Sequence, residues 1–288
     1  MTNAKDTILT PLEADSQVHK RNAAAARSIF APKLFEGKTA IISGGATGIG
    51  FAIARELGQL GAHVILASRT IERLQNAVDD LRKEGIKADS HPVNIRNEQE
   101  VKDLFDTVTE QWGTVDFLIN NAGGQFAAPA LNLSLNGFKS VVDLNLHGTW
   151  LMSSAFAHHL TDNNKNGRII NIVLCLASGI PGMVHASAAR AGVVNMTKTL
   201  ASEWGPYGIT VNAVAPGIID TSGLENYESQ NMDNLVNRLP IKRMGTPHEL
   251  ATAVTYLLSP GGDFITGITL EVDGGEHLTG ALQRFSAK

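Results

Sequence analysis

The chain has 288 residues, of which 43% are hydrophobic and 18% charged, and its formal net charge is −4. This profile is typical of a soluble globular protein, the length fits one large domain, and the acidic balance offers no basic field for nucleic acid. A single cysteine, Cys175, excludes an internal disulfide framework and predicts a cytoplasmic protein, and no apolar run approaches the roughly 18 residues of a membrane span.

Residues 1–30 form a polar leader, which we interpret as an N-terminal arm ahead of one domain over residues 31–288. From Lys38 onward, strand-like and helix-like apolar patterns alternate. We predict strands near residues 38–43, 62–68, 88–93, 115–120, 167–173, 208–214 and 267–271. We predict helices near residues 48–60, 70–84, 97–112, 134–161, 185–204 and 247–258. Such alternation predicts an α/β fold, with a parallel sheet and helices on both of its faces.

The junction between the first strand and the first helix is rich in glycine and reads Ser43-Gly44-Gly45-Ala46-Thr47-Gly48-Ile49-Gly50. A tight turn of this kind leaves backbone N–H groups pointing at one spot, and the helix N-terminus adds partial positive charge there. Glycine is needed because a side chain would block the approach of a phosphate or of the helix to the sheet. We therefore predict a dinucleotide pyrophosphate site formed by Gly44, Ala46, Thr47, Gly48, Ile49 and Gly50.

The second strand ends at Ser68 and is followed by Arg69. In proteins that bind NAD, an acidic residue at this position holds the adenosine ribose, about 20 residues past the glycine turn. A guanidinium can instead grip a 2′-phosphate through charge-assisted hydrogen bonds. Ser68 and Arg69 thus favour NADP over NAD, the alternative being a surface arginine at a helix start.

Two further strand ends carry polar or small residues. Asn94 and Ile95 follow the third strand, where an adenine would be held. The run Asn120-Asn121-Ala122-Gly123 closes the fourth strand, and its small residues would let a cofactor lie against the strand end. We add Asn94, Ile95, Asn121, Ala122 and Gly123 to the predicted cofactor site, and we predict no metal site.

Together with Asn145 and the run Pro216-Gly217-Ile218-Ile219-Asp220-Thr221, these motifs resemble the short-chain dehydrogenase/reductase family over residues 33–275. The resemblance implies a single-domain Rossmann fold with about seven parallel strands, a nicotinamide cofactor, and homodimers or homotetramers. In this family the Pro-Gly turn supplies groups to the nicotinamide carboxamide. That role would fall here to Pro216, Gly217, the backbone of Ile219 and the hydroxyl of Thr221.

The catalytic residues of the family are largely replaced in this chain. The family pairs a Tyr and a Lys four residues apart on one helix, and these positions hold Ala186 and Arg190. The family's Ser falls on Val173 or Leu174, and only Asn145 matches. The usual reduction of a carbonyl therefore lacks its acid. Arg190 can still hydrogen-bond the nicotinamide ribose and stabilise negative charge, although a guanidinium does not readily release a proton.

A narrower resemblance is to the peroxisomal-type trans-2-enoyl-CoA reductases, and more distantly to the 2,4-dienoyl-CoA reductases. It is spread over most of the chain, in Ala46-Thr47-Gly48, Ala67-Ser68-Arg69, 94–98, 123–126, Val184-His185, 188–193, 225–227, Pro240, Lys242-Arg243 and 264–267. The implied activity is NADPH-dependent reduction of the 2,3 double bond of a fatty enoyl-CoA, an acyl thioester of fatty acid metabolism. Hydride arriving at C3 moves charge to the thioester oxygen, so preorganised donors can replace a phenol.

Five residues are candidates for this chemistry. Asn145 would hold a water or the substrate oxygen, or would bridge an irregularity in its helix, and Arg190 would stabilise negative charge. His185 and Ser187 flank the position of the missing Tyr and are candidate proton donors, unless they are satisfied within the helix. Tyr227 lies in the long segment 222–240, which we interpret as a substrate lid, and it is either a donor, a substrate contact or a packing residue.

Two other functions remain open on the sequence. One is a carbonyl-type oxidoreductase acting on a 3-oxoacyl thioester or on a small ketone or alcohol, which would need a substitute acid. The other is a non-catalytic NADP-binding protein, which the substitutions at Ala186 and Arg190 would permit. Turnover with a ketone, with an enoyl-CoA, or with neither discriminates the three functions.

Overall fold

The computed structural model describes residues 28–176, 179–221 and 236–278. Seven parallel strands form one sheet in the order β3-β2-β1-β4-β5-β6-β7. Their bounds are β1 (Thr39–Ser43), β2 (His63–Ser68), β3 (Ala88–Pro92), β4 (Phe117–Asn120), β5 (Gly167–Ile172), β6 (Ile209–Pro216) and β7 (Thr269–Val272). The predicted single-domain Rossmann fold is confirmed, and each strand lies where it was predicted to within a few residues. The strand order reverses between β1 and β4, and ligands of such sheets bind at that point, beyond the carboxyl ends of the strands.

The helices cover both faces of the sheet. They are α1 (Gly48–Gln59), α2 (Ile71–Lys83), α3 (Glu98–Trp112), α4 (Leu135–Val142), α5 (Gly148–Asp162), α6 (Val184–Trp204) and α7 (Pro247–Leu258). Three starts carry side-chain caps: Asn97 accepts two backbone N–H groups of α3, Ser134 accepts the N–H of Gly137 in α4, and Thr246 forms a capping box with Glu249 at α7. The single helix predicted over 134–161 is divided by a π-helical turn, Asp143–His147.

The apolar core lies in two layers, one on each face of the sheet. Successive residues of β1 show the division, because Ile41 packs with the layer under α3 and α5 while Ile42 packs with the layer under α1 and α7. Both side chains are fully buried. Strands covered on both faces read as continuous apolar runs, as β1 and β2 do, whereas the edge strand β3 is largely polar.

Parts of two predicted segments fall outside the described residues. These are residues 1–27 of the predicted arm and residues 222–235 of the predicted lid, including Tyr227. Within the part of the chain that the structure describes, no helix combines the length and apolar character needed to cross a bilayer.

Candidate active site

A cavity of about 710 Å³ opens beyond the carboxyl ends of β1, β2, β3 and β4, where the strand order reverses. Most of the predicted cofactor residues line it. They are Gly44, Ala46, Thr47, Gly48, Ile49, Ser68, Arg69, Asn94, Ile95, Asn121, Ala122, Gly123 and Thr221. The sequence pattern thus brings residues from five separate stretches of chain to one cavity.

The glycine-rich turn owes its shape to backbone that only glycine adopts readily. Gly44 and Gly48 have φ angles of +65° and +56°, in the left-handed region. Gly50 does not line the cavity; a Cβ on it would collide with the carbonyl oxygen of Gly44. Asn121 donates from Nδ2 to the carbonyl oxygens of Ser43, at 3.1 Å, and of Gly44, at 3.0 Å. These hydrogen bonds tie the start of the turn to the residue that follows β4, and they link two walls of the cavity.

The turn after β6 reaches the cavity through Thr221, whereas Pro216, Gly217 and Ile219 lie outside its lining. Ile219 is buried and forms an isolated bridge with Gly245. The N–H of Gly245 donates to the carbonyl oxygen of Ile218 at 2.9 Å, and the N–H of Asp220 donates to that of Gly245 at 2.8 Å. The segment that leads into α7 thus holds this turn against the glycine loop.

Several lining residues were not found from the sequence. They are Ala67, Thr70, Arg73, Val93 and Leu144. Arg73 stands four residues after Arg69, at the start of the predicted second helix, and this spacing was the signal that could have identified it. The apolar members have no distinguishing sequence signal, because buried strand ends and helix faces supply the same residue types throughout the fold.

Asn145 lies in the π-helical turn and is only 1% exposed. Its Nδ2 donates to the carbonyl oxygen of Gly124 at 2.8 Å, and its Oδ1 accepts the N–H of Gly124 at 3.1 Å. The backbone of Gly124 therefore pairs with both the donor and the acceptor of the Asn145 side-chain amide. These contacts tie the π-helical turn to the segment that follows β4.

Arg190 is 6% exposed and adjoins the cavity at Gly123, where a Cβ would collide with its Nη2. Its Nη1 donates to the carbonyl oxygen of Ile172 at 2.8 Å, and its Nε has no partner among the described residues. Burial lowers the pKa of Arg190 to about 10, so the guanidinium remains charged at neutral pH. No carboxylate in the described ranges pairs with this charge.

His185 and Ser187 lie on either side of Ala186, on the first turn of α6. Nδ1 of His185 accepts the N–H of Ala186 at 2.8 Å, so a neutral ring carries its proton on Nε2. That Nε2 and the Oγ of Ser187 are buried without a partner in the described part of the chain. Buried polar atoms usually have partners, and two unpaired ones beside the missing Tyr mark this turn as unusual.

The segment Gly123–Phe126 brings three of the candidate catalytic residues together. Arg190 meets it at Gly123, Asn145 at Gly124, and His185 at Phe126, where the ring centroids are 4.6 Å apart. Gly123 also lines the cavity, so Arg190 adjoins the cavity there, whereas Asn145 and His185 contact the residues that follow. Cys175 is not among them; it is buried, and its Sγ donates to the Asp273 carboxylate at 3.5 Å.

A buried polar network joins α5, which follows the π-helical turn of Asn145, to α6, which carries Arg190. Asn120 donates from Nδ2 to the Oγ of Ser153 on α5 and to the Oδ1 of Asn171, both at 2.9 Å. Asn171 in turn donates from Nδ2 to the Oγ1 of Thr197 on α6 at 2.9 Å. Because Asn120 and Asn171 are paired on the adjacent strands β4 and β5, the network connects α5 to α6 through these strands. It holds the two helices in register with the strand ends below the site.

Comparisons with known proteins agree with this architecture. A family model described as "Enoyl-(Acyl carrier protein) reductase" matches residues 44–277. The chain is 38% identical over 248 residues to the "Probable 2,4-dienoyl-CoA reductase" of Bacillus subtilis (strain 168), which covers 84% of this chain and 98% of that protein. The name of this relative belongs to the branch that the sequence analysis placed second.

Two solved structures extend the likeness to three dimensions. A short chain dehydrogenase from Bacillus anthracis (strain Ames Ancestor) aligns with a TM-score of 0.78 and 37% identity, over 84% of this chain and 97% of that one. A variant of actinorhodin polyketide ketoreductase with NADPH aligns with a TM-score of 0.80 and 31% identity, over 86% of this chain and 99% of that one.

Proposed function

Because the chain belongs to the short-chain dehydrogenase/reductase family of oxidoreductases, we propose that it reduces the 2,3 double bond of fatty enoyl-CoA with NADPH. The observation that carries the proposal is a buried guanidinium, Arg190, which adjoins the cavity at Gly123, while the position of the family's phenol holds a fully buried Ala186. This cation can stabilise developing negative charge, yet it is a poor proton donor to a ketone oxygen. An alkene conjugated to a thioester needs no proton on its oxygen.

The described residues fit NADPH. The cavity volume of about 710 Å³ suits a cofactor, and its glycine turn can take the pyrophosphate. Ser68 and Arg69 would hold the 2′-phosphate, with Asn94 and Ile95 at the adenine. The remaining strand-end residues would lie along the nicotinamide half: Asn121, Ala122, Gly123, Pro216, Gly217, Ile219 and Thr221. NADPH solved with the related ketoreductase supports this choice.

When bound, reduced nicotinamide supplies a hydride to C3 of the substrate. The electron pair of the alkene then forms the C1–C2 double bond of an enolate, the carbonyl pair moves to the thioester oxygen, and the Arg190 charge would offset that oxyanion without reorganising. Addition of a proton at C2 completes the saturated acyl thioester. His185, through Nε2–H, and Ser187, through its hydroxyl, are the described candidates for that donor, and Tyr227 is a third outside the described residues. Asn145 shapes the segment Gly123–Phe126 rather than moving a proton.

A 2,4-dienoyl-CoA is the second candidate substrate, and the name of the Bacillus subtilis relative favours it. It is also a conjugated thioester, so hydride addition again places charge on the thioester oxygen. The two substrates differ in how far the charge spreads and in where the product keeps a double bond. Product analysis therefore separates them.

Loss of NADPH absorbance with three thioesters tests the proposal: a 2-enoyl-CoA, a 2,4-dienoyl-CoA and a 3-oxoacyl-CoA of equal chain length. We expect turnover with the 2-enoyl-CoA to exceed that with the 3-oxoacyl-CoA by about 100-fold, the usual contribution of a missing general acid. Preference for the 3-oxoacyl-CoA would establish the carbonyl-type alternative. Saturable NADPH binding without turnover on any thioester would establish the non-catalytic one.

We further propose a cytoplasmic homodimer or homotetramer. The face of α5 supports assembly, because Trp150 is 43% exposed there and stacks on Trp204 with ring centroids 6.5 Å apart. Exposed aromatic side chains of this size are common at protein interfaces. Light scattering on the purified protein measures the assembly, and a monomeric mass would contradict it.

A further inference from the structure

We propose that the acyl chain of the substrate lies along an apolar rim that begins beside Arg190, and that Phe126 on this rim sets a preference for long chains over short ones. The apolar rim consists of Phe126–Leu131 and Val184. The inference rests on the proposed function, since it takes a fatty enoyl thioester as the substrate. It adds a binding subsite for the part of that substrate that does not react.

The apolar rim contains an unusual exposed run. Phe126–Leu131 reads Phe-Ala-Ala-Pro-Ala-Leu, six apolar residues that precede α4 and lie outside every strand. Five of them are exposed and Ala128 is half-buried. Phe126 is 44% exposed and Leu131 fully exposed. Consecutive exposed apolar residues are avoided on protein surfaces unless they serve a function, which is most often binding.

This run starts close to the candidate active site. Gly123 lines the cavity and adjoins Arg190. Phe126 follows three residues later, so its Cα lies within about 11 Å of that of Gly123. Asn145 holds the intervening backbone in place through its two hydrogen bonds to Gly124. A long acyl chain on a thioester whose oxygen faces Arg190 would therefore reach Phe126, whereas a short chain would end before it.

The turn that leads into α6 meets the run from a second side. The N–H of Ala128 donates to the carbonyl oxygen of Gly182 at 2.9 Å. The rings of Phe126 and His185 meet edge to face, with an interplanar angle of 82°. Val184, which precedes His185 and begins α6, is 43% exposed. The apolar rim thus joins two loops that contact each other without any substrate.

Neither of these loops carries an acidic or basic side chain other than His185. The sequence has no Asp, Glu, Lys or Arg between Asp116 and Lys139, and none between Arg168 and Arg190. The phosphates of coenzyme A would find no cation on this surface. A hydrocarbon chain, in contrast, would remove no charged group from water when it binds there. The rim therefore suits the acyl part of the thioester rather than its nucleotide part.

Phe126 is the largest side chain of the rim, and it is held on two sides. Its ring lies against His185 of α6, and a Cβ on Gly137 of α4 would come within 3.1 Å of its Cζ. Because the ring is already held and still exposed, an acyl chain that covers it gains apolar contact with little further loss of side-chain freedom. A chain that ends before the ring gains none of this contact.

The ratio of kcat/KM for trans-2-decenoyl-CoA to that for crotonyl-CoA, measured on the full chain with NADPH, tests the inference. The variants are Phe126→Ala, Phe126→Leu and Ala127→Asp. Loss of the contact with His185 in Phe126→Ala would affect both substrates, so it cancels in the ratio. Phe264→Ala is the matched control, because it makes the same change at a fully exposed position before β7. Thermal unfolding of each variant checks that the fold is retained.

We expect the wild type to prefer trans-2-decenoyl-CoA and Phe126→Ala to lower the ratio by about 10-fold, in line with the apolar contact removed. Phe126→Leu should keep most of the ratio, because it keeps an apolar side chain. Ala127→Asp removes no packing but places a charge where the chain would lie, so it should also lower the ratio. The control should keep the wild-type ratio.

A wild type that reduces both thioesters, with a ratio that neither Phe126→Ala nor Ala127→Asp changes, would overturn the inference and leave the proposed function intact. If the ratio stays unchanged while light scattering shows a smaller assembly for Phe126→Ala, the rim is a contact between copies of this chain and the inference is again overturned. A wild type that reduces neither thioester would instead refute the proposed function.

Discussion

The half of the site built on β1 to β4 and the half built on β5 and α6 are made in different ways. The first is shaped by backbone: left-handed glycines, short strand ends and main-chain hydrogen bonds surround the cavity. The second consists of buried side chains, among them Arg190, His185 and Ser187, each with a polar atom that lacks a partner among the described residues. A site made of backbone can bind the same cofactor in enzymes that catalyse different reactions. A few changes of buried side chains, in contrast, can alter which bond is reduced.

The largest expected effect comes from removing the charge of the second half. Arg190→Ala should lower kcat on an enoyl-CoA by about 10²–10³-fold, the usual effect of deleting an oxyanion donor. NADPH affinity should fall less than kcat, since Arg190 would contribute only its hydrogen bond to the nicotinamide ribose while the glycine turn and Ser68-Arg69 would hold the rest of the cofactor. Steady-state kinetics with a parallel NADPH titration measures both quantities.

Arg190→Lys is the matched control for that variant, because it keeps a positive charge at the same position. It should retain more activity than Arg190→Ala. Equal activity of wild type and Arg190→Ala would contradict the role of the guanidinium and with it the division of labour between the halves.

Breaking a hydrogen bond of the buried polar network between the two halves should lower the free energy of unfolding. Thr197→Val keeps the shape of the side chain but leaves the Nδ2 of the buried Asn171 without its acceptor, which should cost about 2 kcal/mol in the free energy of unfolding. Thr197→Ser keeps the hydroxyl and should cost less. Urea unfolding compares the two variants, and equal losses would mean that the methyl group rather than the hydrogen bond matters.

The first half can be disturbed by a single methyl group. Gly44→Ala would hold alanine at a φ of +65°, with its Cβ 2.9 Å from the Nδ2 of Asn121. The strain should cost about 1 kcal/mol in unfolding free energy and weaken NADPH binding by about 10-fold. Gly37→Ala is the control, because its φ is +77° but nothing lies within 4 Å of the new Cβ. Weakened NADPH binding in both variants would show that the effect is not local to the cavity.

The smallest effect is expected where the turn after β6 is anchored. The hydrogen bond from Arg243 lowers the pKa of Glu249 from 4.5 to about 2. Since the folded-state pKa is depressed, this stabilisation is present above pH 4.5 and is lost as the pH falls towards about 2. The pair is partly exposed, so the contribution should stay below about 1 kcal/mol.

Glu249→Gln should therefore flatten the acid side of the curve of unfolding free energy against pH and leave its neutral to basic side parallel to wild type. Denaturant unfolding at several pH values gives the curve. An unchanged acid slope would contradict the anchoring role of the pair.

The two halves also differ in how far the sequence predicted them. Glycines, strand ends and Arg69 were found because the alternation of strands and helices places them at one edge of the sheet. The contact of Asn145 with Gly124 and the unpaired Nε2 of His185 were not predictable, since they depend on how α5, α6 and a loop meet in space. The π-helical turn was missed because it shifts the phase of the apolar pattern between α4 and α5 without changing the spacing within either helix.

The π-helical turn changes the direction in which the side chains of α4 and α5 face. An inserted residue rotates everything beyond it by about 100° around the axis. Val141 on α4 packs with Met183 and Ala186 at the start of α6, while Met152 and Phe156 on α5 face the sheet. Deleting one residue between Asp143 and His147 would turn the π-helical turn into regular α-helix and rotate α5 relative to α4. Either Val141 would then lose its packing against the start of α6, or Met152 and Phe156 would lose theirs against the sheet.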